Sequence, residues 1–412
     1  MRVKVTLPAY RQIEKDVDEK KTIGDLKRAI CAELDIEENL TRLLLDGKSL
    51  SEKSRVTRLK HIKNPIVVDY LWARHLVAWG IEGQRRIRSA TVLLAGAGAI
   101  GNEVAKNLAM IGVGRLFVVD RDIVELSNIS RMIFFDRPSL GKNKAEVLAK
   151  NVHNRYPIVE TAAYRGDLES MPLKIFLDSD VILSGLDNVI SRIYLSQIAR
   201  KYSIPLLDGG IMGLTARAQA YVPPDAACPI CIFPHTQYSN ITGLRNPCDA
   251  PAEQQTVPSF STSISLVSSI LAQEVVKMIL GFHDYKRTGK WPDSSGEPLG
   301  SVLFMDLKNN RFTSMPLKRN EACFVCGKDG TAKSTAKRFD LPLNLLEGSS
   351  LESAVRRTAH LEKESLALFR ENSLGERRLS EKDKDKLRQG DYVRVVGTDT
   401  TGEMSESIIK LT

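Results

Sequence analysis

Residues 92–101 read VLLAGAGAIG. An apolar run that ends in Gly96, Gly98 and Gly101 predicts a buried strand turning tightly into a helix. Glycines let the main chain approach a phosphate closely, and the helix N-terminus supplies N–H donors and the positive end of the dipole. Nineteen residues after Gly101, RLFVVD ends in Asp120 at the tip of the next strand. A carboxylate there can accept hydrogen bonds from both ribose hydroxyls. These residues alone do not separate ATP from a nicotinamide dinucleotide.

Outward from this loop, from about residue 70 to 330, strand-like and helix-like runs alternate. TVLLAG is followed by a helix through Val104–Ile111, RLFVVD by one near Lys142–Tyr156, DVILSG by one near Ile190–Tyr202, and then IPLLDGG. Such alternation predicts an α/β fold, a Rossmann-like, mostly parallel sheet with helices on both faces. STSISLVSSILAQEVVKMILG reads as an apolar helix, Asp284–Gly300 as a surface loop, and SVLFMDLKNNRFTSM as a hairpin with an Asn-Asn turn.

The segment DRDIVELSNISR decides between the nucleotides. It carries Asp120, Asp122, Ser127, Asn128 and Arg131, with Lys144 following in LGKNKAEV. Hydride transfer needs few charges beside the nicotinamide. Triphosphate chemistry needs cations for the α- and β-phosphates and a carboxylate for Mg²⁺. A salt-bridged surface turn is the bland alternative.

With these residues in view the chain resembles the ubiquitin-activating enzyme family, including its bacterial relatives that activate sulfur carriers. The likeness covers about 260 of the 412 residues. It implies that Gly96, Gly98, Ala99 and Gly101 form the nucleotide loop, with Asp120 on the ribose beside Asp122 and Ser127. Asn128, Arg131 and Lys144 then bind phosphate. Asp187 and Asn188 in SGLDNVISR match the family's Asp-Asn pair, with Asp187 as the Mg²⁺ ligand. LWARHLVAWGIEGQRRI resembles the segment whose arginine, here Arg74, reaches into a partner subunit's ATP site, so a homodimer is expected. Ala99 departs from the family's usual Gly, and His75 and Met132 from its Gln; no charged ligand is lost.

Of six cysteines, four form two Cys-x-x-Cys pairs, Cys228/Cys231 and Cys323/Cys326. Two pairs match a Cys₄ structural Zn²⁺ site, with a redox pair as the competing reading. Cys248 remains, in the polar loop GLRNPCDAPAEQQTVPSF. In several family members a cysteine of this region takes the modifier from its adenylate as a thioester, with Arg245 here placed to lower a thiol pKa. An inert loop cysteine is the alternative. Cys31 sits among the helical residues of the N-terminal region and is expected to be partly buried.

Residues 1–69 read as strand, turn, strand, a helix from Thr22 and further short strands, the rhythm of a β-grasp fold. The stretch LLLDGKSLSEKSRVTRLKHI makes it look like a ubiquitin-like domain, with a tight Asp-Gly turn. No Gly-Gly tail follows Val68, so a conjugatable role is not expected for it. Residues 70–332 form the adenylation domain. Residues 336–412, with helical SLESAVRRTAHL and strand-like DYVRVVG, suggest a second β-grasp-like module, which by resemblance recruits a conjugating enzyme.

The net charge of +9 is spread among acidic residues, with no basic helix interleaved with aromatics, so nucleic acid is not expected. No run approaches the ~20 apolar residues that span a bilayer, and the N-terminus lacks a signal core, so a cytoplasmic protein without membrane contact is expected. The resemblance implies an enzyme that adenylates the C-terminal carboxylate of a ubiquitin-like modifier, using ATP and Mg²⁺, and passes it to Cys248. A sulfur-carrier adenylyltransferase and a non-catalytic pseudo-adenylating subunit are the alternatives, with a dehydrogenase a distant fourth.

Overall fold

The computed structural model describes residues 1–8, 11–233, 258–332, 335–362, 366–372, 375–399 and 402–412. In the N-terminal domain, β1 (Arg2–Thr6), β2 (Gln12–Asp16), α1 (Ile23–Leu34), β3 (Thr41–Leu45), β4 (Lys48–Ser49) and β5 (Ile66–Tyr70) form a sheet of order β2-β1-β5-β3-β4. Thr22 caps α1 in a full capping box with Asp25. Asp46 and Gly47 both have positive φ, which supplies the tight hairpin between β3 and β4. The first strand pairs in parallel with the last, and the helix covers the sheet through Ile23, Leu26 and Ile30.

The central domain begins only two residues after β5. It comprises α2 (Ala73–Ser89), β6 (Thr91–Ala95), α3 (Ala99–Ile111), β7 (Arg115–Val119), α4 (Lys144–Arg155), β8 (Glu160–Tyr164), α5 (Leu173–Leu177), β9 (Val181–Ser184), α6 (Val189–Lys201), β10 (Leu206–Met212), β11 (Thr215–Tyr221), α7 (Ser261–Thr288), β12 (Ser301–Asp306) and β13 (Arg311–Pro316). The sheet order is β13-β12-β11-β10-β9-β6-β7-β8. From β8 to β10 the strands are parallel; β11, β12 and β13 add on antiparallel. Both faces are buried. Val92 and Leu94 point into the core beneath α3 and α7, while Leu93 and Ala95 face the core beneath α5 and α6. The chain leaves β6 toward β7 and returns to β9 on the other side, so a topological switch point lies between β6 and β9. In open parallel sheets, ligands bind outside the carboxyl ends of the strands at such a point.

Helix α7 continues through Thr288, two turns beyond the expected end near Gly281, and takes in part of the segment read as loop. It is also long and apolar enough to cross a membrane, contrary to the expectation that no segment is. Its apolar side chains Val267, Leu271, Val275 and Met278 are buried in the core it shares with α3 and the sheet.

The C-terminal domain comprises β14 (Lys337–Leu341), α8 (Leu351–Ala359), β15 (Ala367–Asn372), β16 (Gly375–Arg378), β17 (Tyr392–Thr398) and β18 (Met404–Leu411), in the order β14-β18-β17-β15-β16. Again the first strand is parallel to the last, with a helix after the first strand. It is fastened to the central domain by Tyr392, whose hydroxyl donates to Asp178 at 2.7 Å, and by the Lys201–Glu406 ion pair at 2.9 Å.

Candidate active site

The loop from β6 to α3 lies at the switch point. Gly96 sits at φ +100°, and a Cβ on Gly101 would come 2.1 Å from the Gly96 carbonyl oxygen. Both glycines are therefore required by the turn itself. Gly98 is the N-cap of α3 and Ala99 its first residue, and no side chain among the described residues caps the helix. The first-turn N–H groups are left facing a ligand position, the arrangement that binds phosphate. Against this loop packs the one after β9, since a Cβ on Gly96 would lie 3.1 Å from the Gly185 carbonyl oxygen.

Asp120 follows β7. Its Oδ2 accepts the Ala97 N–H at 2.7 Å and its Oδ1 the Asp122 N–H at 2.8 Å. Burial pushes its carboxyl pKa up, against the lowering effect of those two bonds. Asn143 donates to the carbonyl oxygens of Asp120 and Asp122, at 3.0 and 3.1 Å, while its own Oδ1 caps α4. Lys144, the first residue of α4, pairs with Asp122 at 3.0 Å. The acidic turn and the lysine are thus held as one unit.

Ser127, Asn128 and Arg131 belong to a short 3₁₀ turn over Leu126–Ser130. Asn128 is buried, and its Oδ1 accepts the Glu125 N–H at 3.0 Å. Arg131 donates to the Ser127 carbonyl at 2.6 Å. In this state Asn128 shapes the turn that presents Arg131. Asp187 and Asn188 are exposed on the loop after β9, and Asn188 caps α6 by accepting the Ser191 N–H at 2.8 Å.

The structure brings the glycine loop, Asp120, Asp122 and Lys144 to one side of the switch point and Asp187 to the other. Arg74 lies elsewhere. It stands exposed at the start of α2, next to Trp72, whose indole donates to Met110 near the far end of α3. Thirteen residues of helix, ~20 Å, separate that end from the glycine loop. His75 is half-buried against Trp79, and burial pushes its pKa down. Met132 packs into the core. Cys248 and Arg245 lie outside the described residues.

Cys228, Cys231, Cys323 and Cys326 meet in the core beside α6, all buried, with ligand atoms within 4.8 Å of one another. Sγ separations of 3.9 Å (Cys228–Cys231), 3.7 Å (Cys228–Cys323) and 3.3 Å (Cys231–Cys326) surround the ~3.8 Å edge of a tetrahedron with Zn–S near 2.3 Å. The crowding perturbs the thiols in opposite directions. A bond with Cys231 raises Cys228, while one from Cys228 draws Cys326 down. The set fits a zinc ion. Arg319 supports it from outside by donating to the Cys326 carbonyl at 2.7 and 2.9 Å. Cys31 is buried in the core of the N-terminal domain.

Four residues here were not singled out from the sequence: Asn143, Arg192, Asp208 and Arg217. Arg192, in α6, donates to the Leu186 carbonyl and to Asp208, and so holds the Asp187 loop. The polar cap position before α4 was a signal for Asn143. Nothing in the linear pattern joins Arg192, Asp208 and Arg217.

Residues 72–325 match the ThiF family, and residues 1–68 match the ubiquitin family. SAMP-activating enzyme E1 of Haloferax volcanii is 32% identical over 269 residues, covering 63% of this chain and 89% of that protein. Sulfur carrier protein adenylyltransferase of Thermus thermophilus is 29% identical over 267 residues, covering 62% and 88%. NEDD8-activating enzyme E1 catalytic subunit of Saccharomyces cerevisiae is 34% identical over 176 residues, 40% of this chain and about half (54%) of the yeast protein. Among solved structures, microcin C7 biosynthetic enzyme MccB in complex with N-formylated MccA shares the fold. It has a TM-score of 0.50 at 19% identity, over 62% of this chain and 75% of that one.

Proposed function

This chain belongs to the ThiF family, and from that premise we propose that it adenylates the C-terminal carboxylate of a ubiquitin-like protein with ATP. The observation that carries this reading is the convergence of the uncapped glycine loop, Asp120, Lys144 and Asp187 on one switch point. A carboxylate oxygen of the modifier attacks the α-phosphorus, the new O–P bond forms, and the bond to pyrophosphate breaks. The nucleophile is already ionised at neutral pH, so no general base is required. Rate enhancement then comes from alignment and charge.

The side chains divide the work accordingly. Asp120 receives the ribose hydroxyls. The first turn of α3 takes phosphate oxygens, and Lys144 and Arg131 neutralise charge that grows on the leaving pyrophosphate. Asp187, exposed and free of a capping duty, is the residue to hold Mg²⁺, which would screen the phosphates. Arg74 is remote from its own chain's glycine loop, which suits service in a second subunit and supports a homodimer. The four cysteines support a structural zinc ion, and reduced thiolates suit the cytoplasm.

The test is ATP–pyrophosphate exchange dependent on a ubiquitin-fold protein with a free Gly-Gly carboxyl terminus. Lys144→Ala and Asp187→Ala should each abolish exchange; exchange retained in both would sink the assignment. After adenylation, thioester transfer to Cys248 and hand-over to a conjugating enzyme at the C-terminal domain form the fuller reading. A sulfur-carrier adenylyltransferase shares the first step, and the relative from Thermus thermophilus keeps it in view. Non-reducing gels separate the two: a thiol-sensitive adduct lost in Cys248→Ser supports the thioester. A pseudo-adenylating subunit is disfavoured by the joint presence of Arg131, Lys144 and Asp187.

A further inference from the structure

The order of strands sets the order in which substrates lie. On the adenylation reading, on which this inference rests, the ribose sits at β7 and the phosphates lie over β6 and β9. The side of the α-phosphate left open along the sheet is that of β10 and β11. There stands a charged group that the reading has not used. Asp208 of β10 is fully buried and takes Arg192 on one oxygen. Its other oxygen lies 2.6 Å from Nη2 of Arg217, on β11. Gly210 is the register partner of Arg217, and a Cβ there would lie 3.2 Å from the arginine Nε. The missing side chain lets the guanidinium lie across β10.

Among the described residues, Nη1 of Arg217 is buried without a hydrogen-bond partner, and Oδ2 of Asp208 beside the same guanidinium is likewise left open to a further donor. An unpaired buried donor on a cation is costly, and in a native structure a water, an ion or a ligand group completes it. Two guanidinium groups share the single buried carboxylate. The further acid that Arg192 senses is Asp187, exposed on its loop and already assigned to the metal.

We propose that Arg217 is a substrate-binding residue: its Nη1 donates to a main-chain carbonyl oxygen in the extended C-terminal tail of the protein substrate. Asp208 and Arg192 are positioning residues that hold it there. Two strand spacings, ~10 Å, separate β9 from β11, so the carbonyl belongs to a residue about three positions before the reacting carboxylate. A main-chain contact of this kind selects an extended, narrow tail and reads little of its sequence.

Arg217→Lys tests this, because the ammonium keeps a charge for Asp208 while the second donor is lost. Exchange is measured with a ubiquitin-fold protein ending in a free Gly-Gly carboxylate. The KM for that protein should rise about tenfold, with the KM for ATP, kcat and thermal midpoint unchanged. Gly-Gly dipeptide, too short to reach Arg217, should be used equally by both enzymes. An unchanged KM for the protein overturns the proposal. So does a fall in thermal midpoint with both KM values raised, which would make Arg217 a structural ion pair. Absence of exchange in the wild type with every such protein overturns the adenylation reading, and the inference with it.

Discussion

Nε of Arg88 donates to Glu37 at 3.0 Å, joining the end of α2 to the N-terminal domain. The same carboxylate accepts the Tyr70 hydroxyl at 2.8 Å, and the Arg88 guanidinium lies 5.3 Å from the Trp72 ring centroid. Arg88 also donates to the Ile158 carbonyl at 3.2 Å, just before β8. The ubiquitin-like domain is therefore fastened at the amino ends of the parallel strands, away from the glycine loop. Its last strand runs directly into the segment that carries Arg74. This geometry suits a fixed platform and does not place the domain over the nucleotide site.

Glu37→Gln should loosen that platform without unfolding either domain. The pair is partly exposed, with side chains 23% and 33% accessible, so the cost is about 1 kcal/mol or less. Hydrogen exchange is expected to quicken across Tyr70–Trp79 and stay unchanged in β6 and α3. Uniform quickening would show that the ion pair supports the whole molecule.

The glycine loop offers a sharper contrast. Gly98 has φ −71° and, among the described residues, nothing within 4 Å of a built Cβ, whereas Gly101 faces the Gly96 carbonyl at 2.1 Å. Gly98→Ala meets no described protein atom and should leave the thermal midpoint unchanged, with any loss of ATP affinity coming from a Cβ set where the phosphates are to lie. Gly101→Ala must push the loop open, a distortion of roughly 1–3 kcal/mol, and should weaken ATP by tenfold or more. Calorimetric titration and thermal melting of both variants check this; wild-type ATP affinity in both would mean that the loop does not contact the nucleotide.

Much of this site was legible because its signals are local. A glycine loop after an apolar run, an acid at the next strand tip and two Cys-x-x-Cys pairs each lie within a few residues. The Asp46–Gly47 turn and the Thr22 cap are legible for the same reason. Among the described strands of the central sheet, two were missed. β8 is an edge strand without a clean alternation of buried and exposed residues, and β11 (TARAQAY) has few β-branched residues. The extra turns of α7 were missed because Gly281 looked like an end. Instead it packs against Trp291 and Ser295, where a Cβ would meet atoms at 2.5–2.7 Å. The Arg192–Asp208–Arg217 group was invisible because it depends on the register of β10 with β11 and on the helix between β9 and β10.

The four-cysteine cluster predicts one zinc ion per chain. Thiols this crowded and buried have no water to solvate them, so the metal contributes to folding directly. Elemental analysis should give a one-to-one ratio. Cys326→Ser, or prolonged chelation, should lower the thermal midpoint and loosen β11 and β13, the strands that precede the two knuckles. Folded protein free of metal at an unchanged midpoint would refute the site.

Acid should release the C-terminal domain before it unfolds the central one. Glu406 accepts Arg394 at 2.8 Å and pairs with Lys201 of α6 at 2.9 Å. Burial pushes its carboxyl up, but those two hydrogen bonds outweigh burial and hold it below the ordinary value of 4.5. A carboxylate with a depressed folded pKa contributes its full stabilisation above the unfolded pKa and loses it as pH falls through the folded one. Docking through Glu406 is thus complete at neutral pH and weakens only below about pH 4.5. Glu406→Gln removes the titrating group, so its docking should be weaker at pH 7 and nearly independent of pH between 6 and 3 as far as this contact is concerned. Release of the C-terminal domain under limited proteolysis as a function of pH reads the difference; parallel profiles for the two proteins would assign the acid sensitivity to another group.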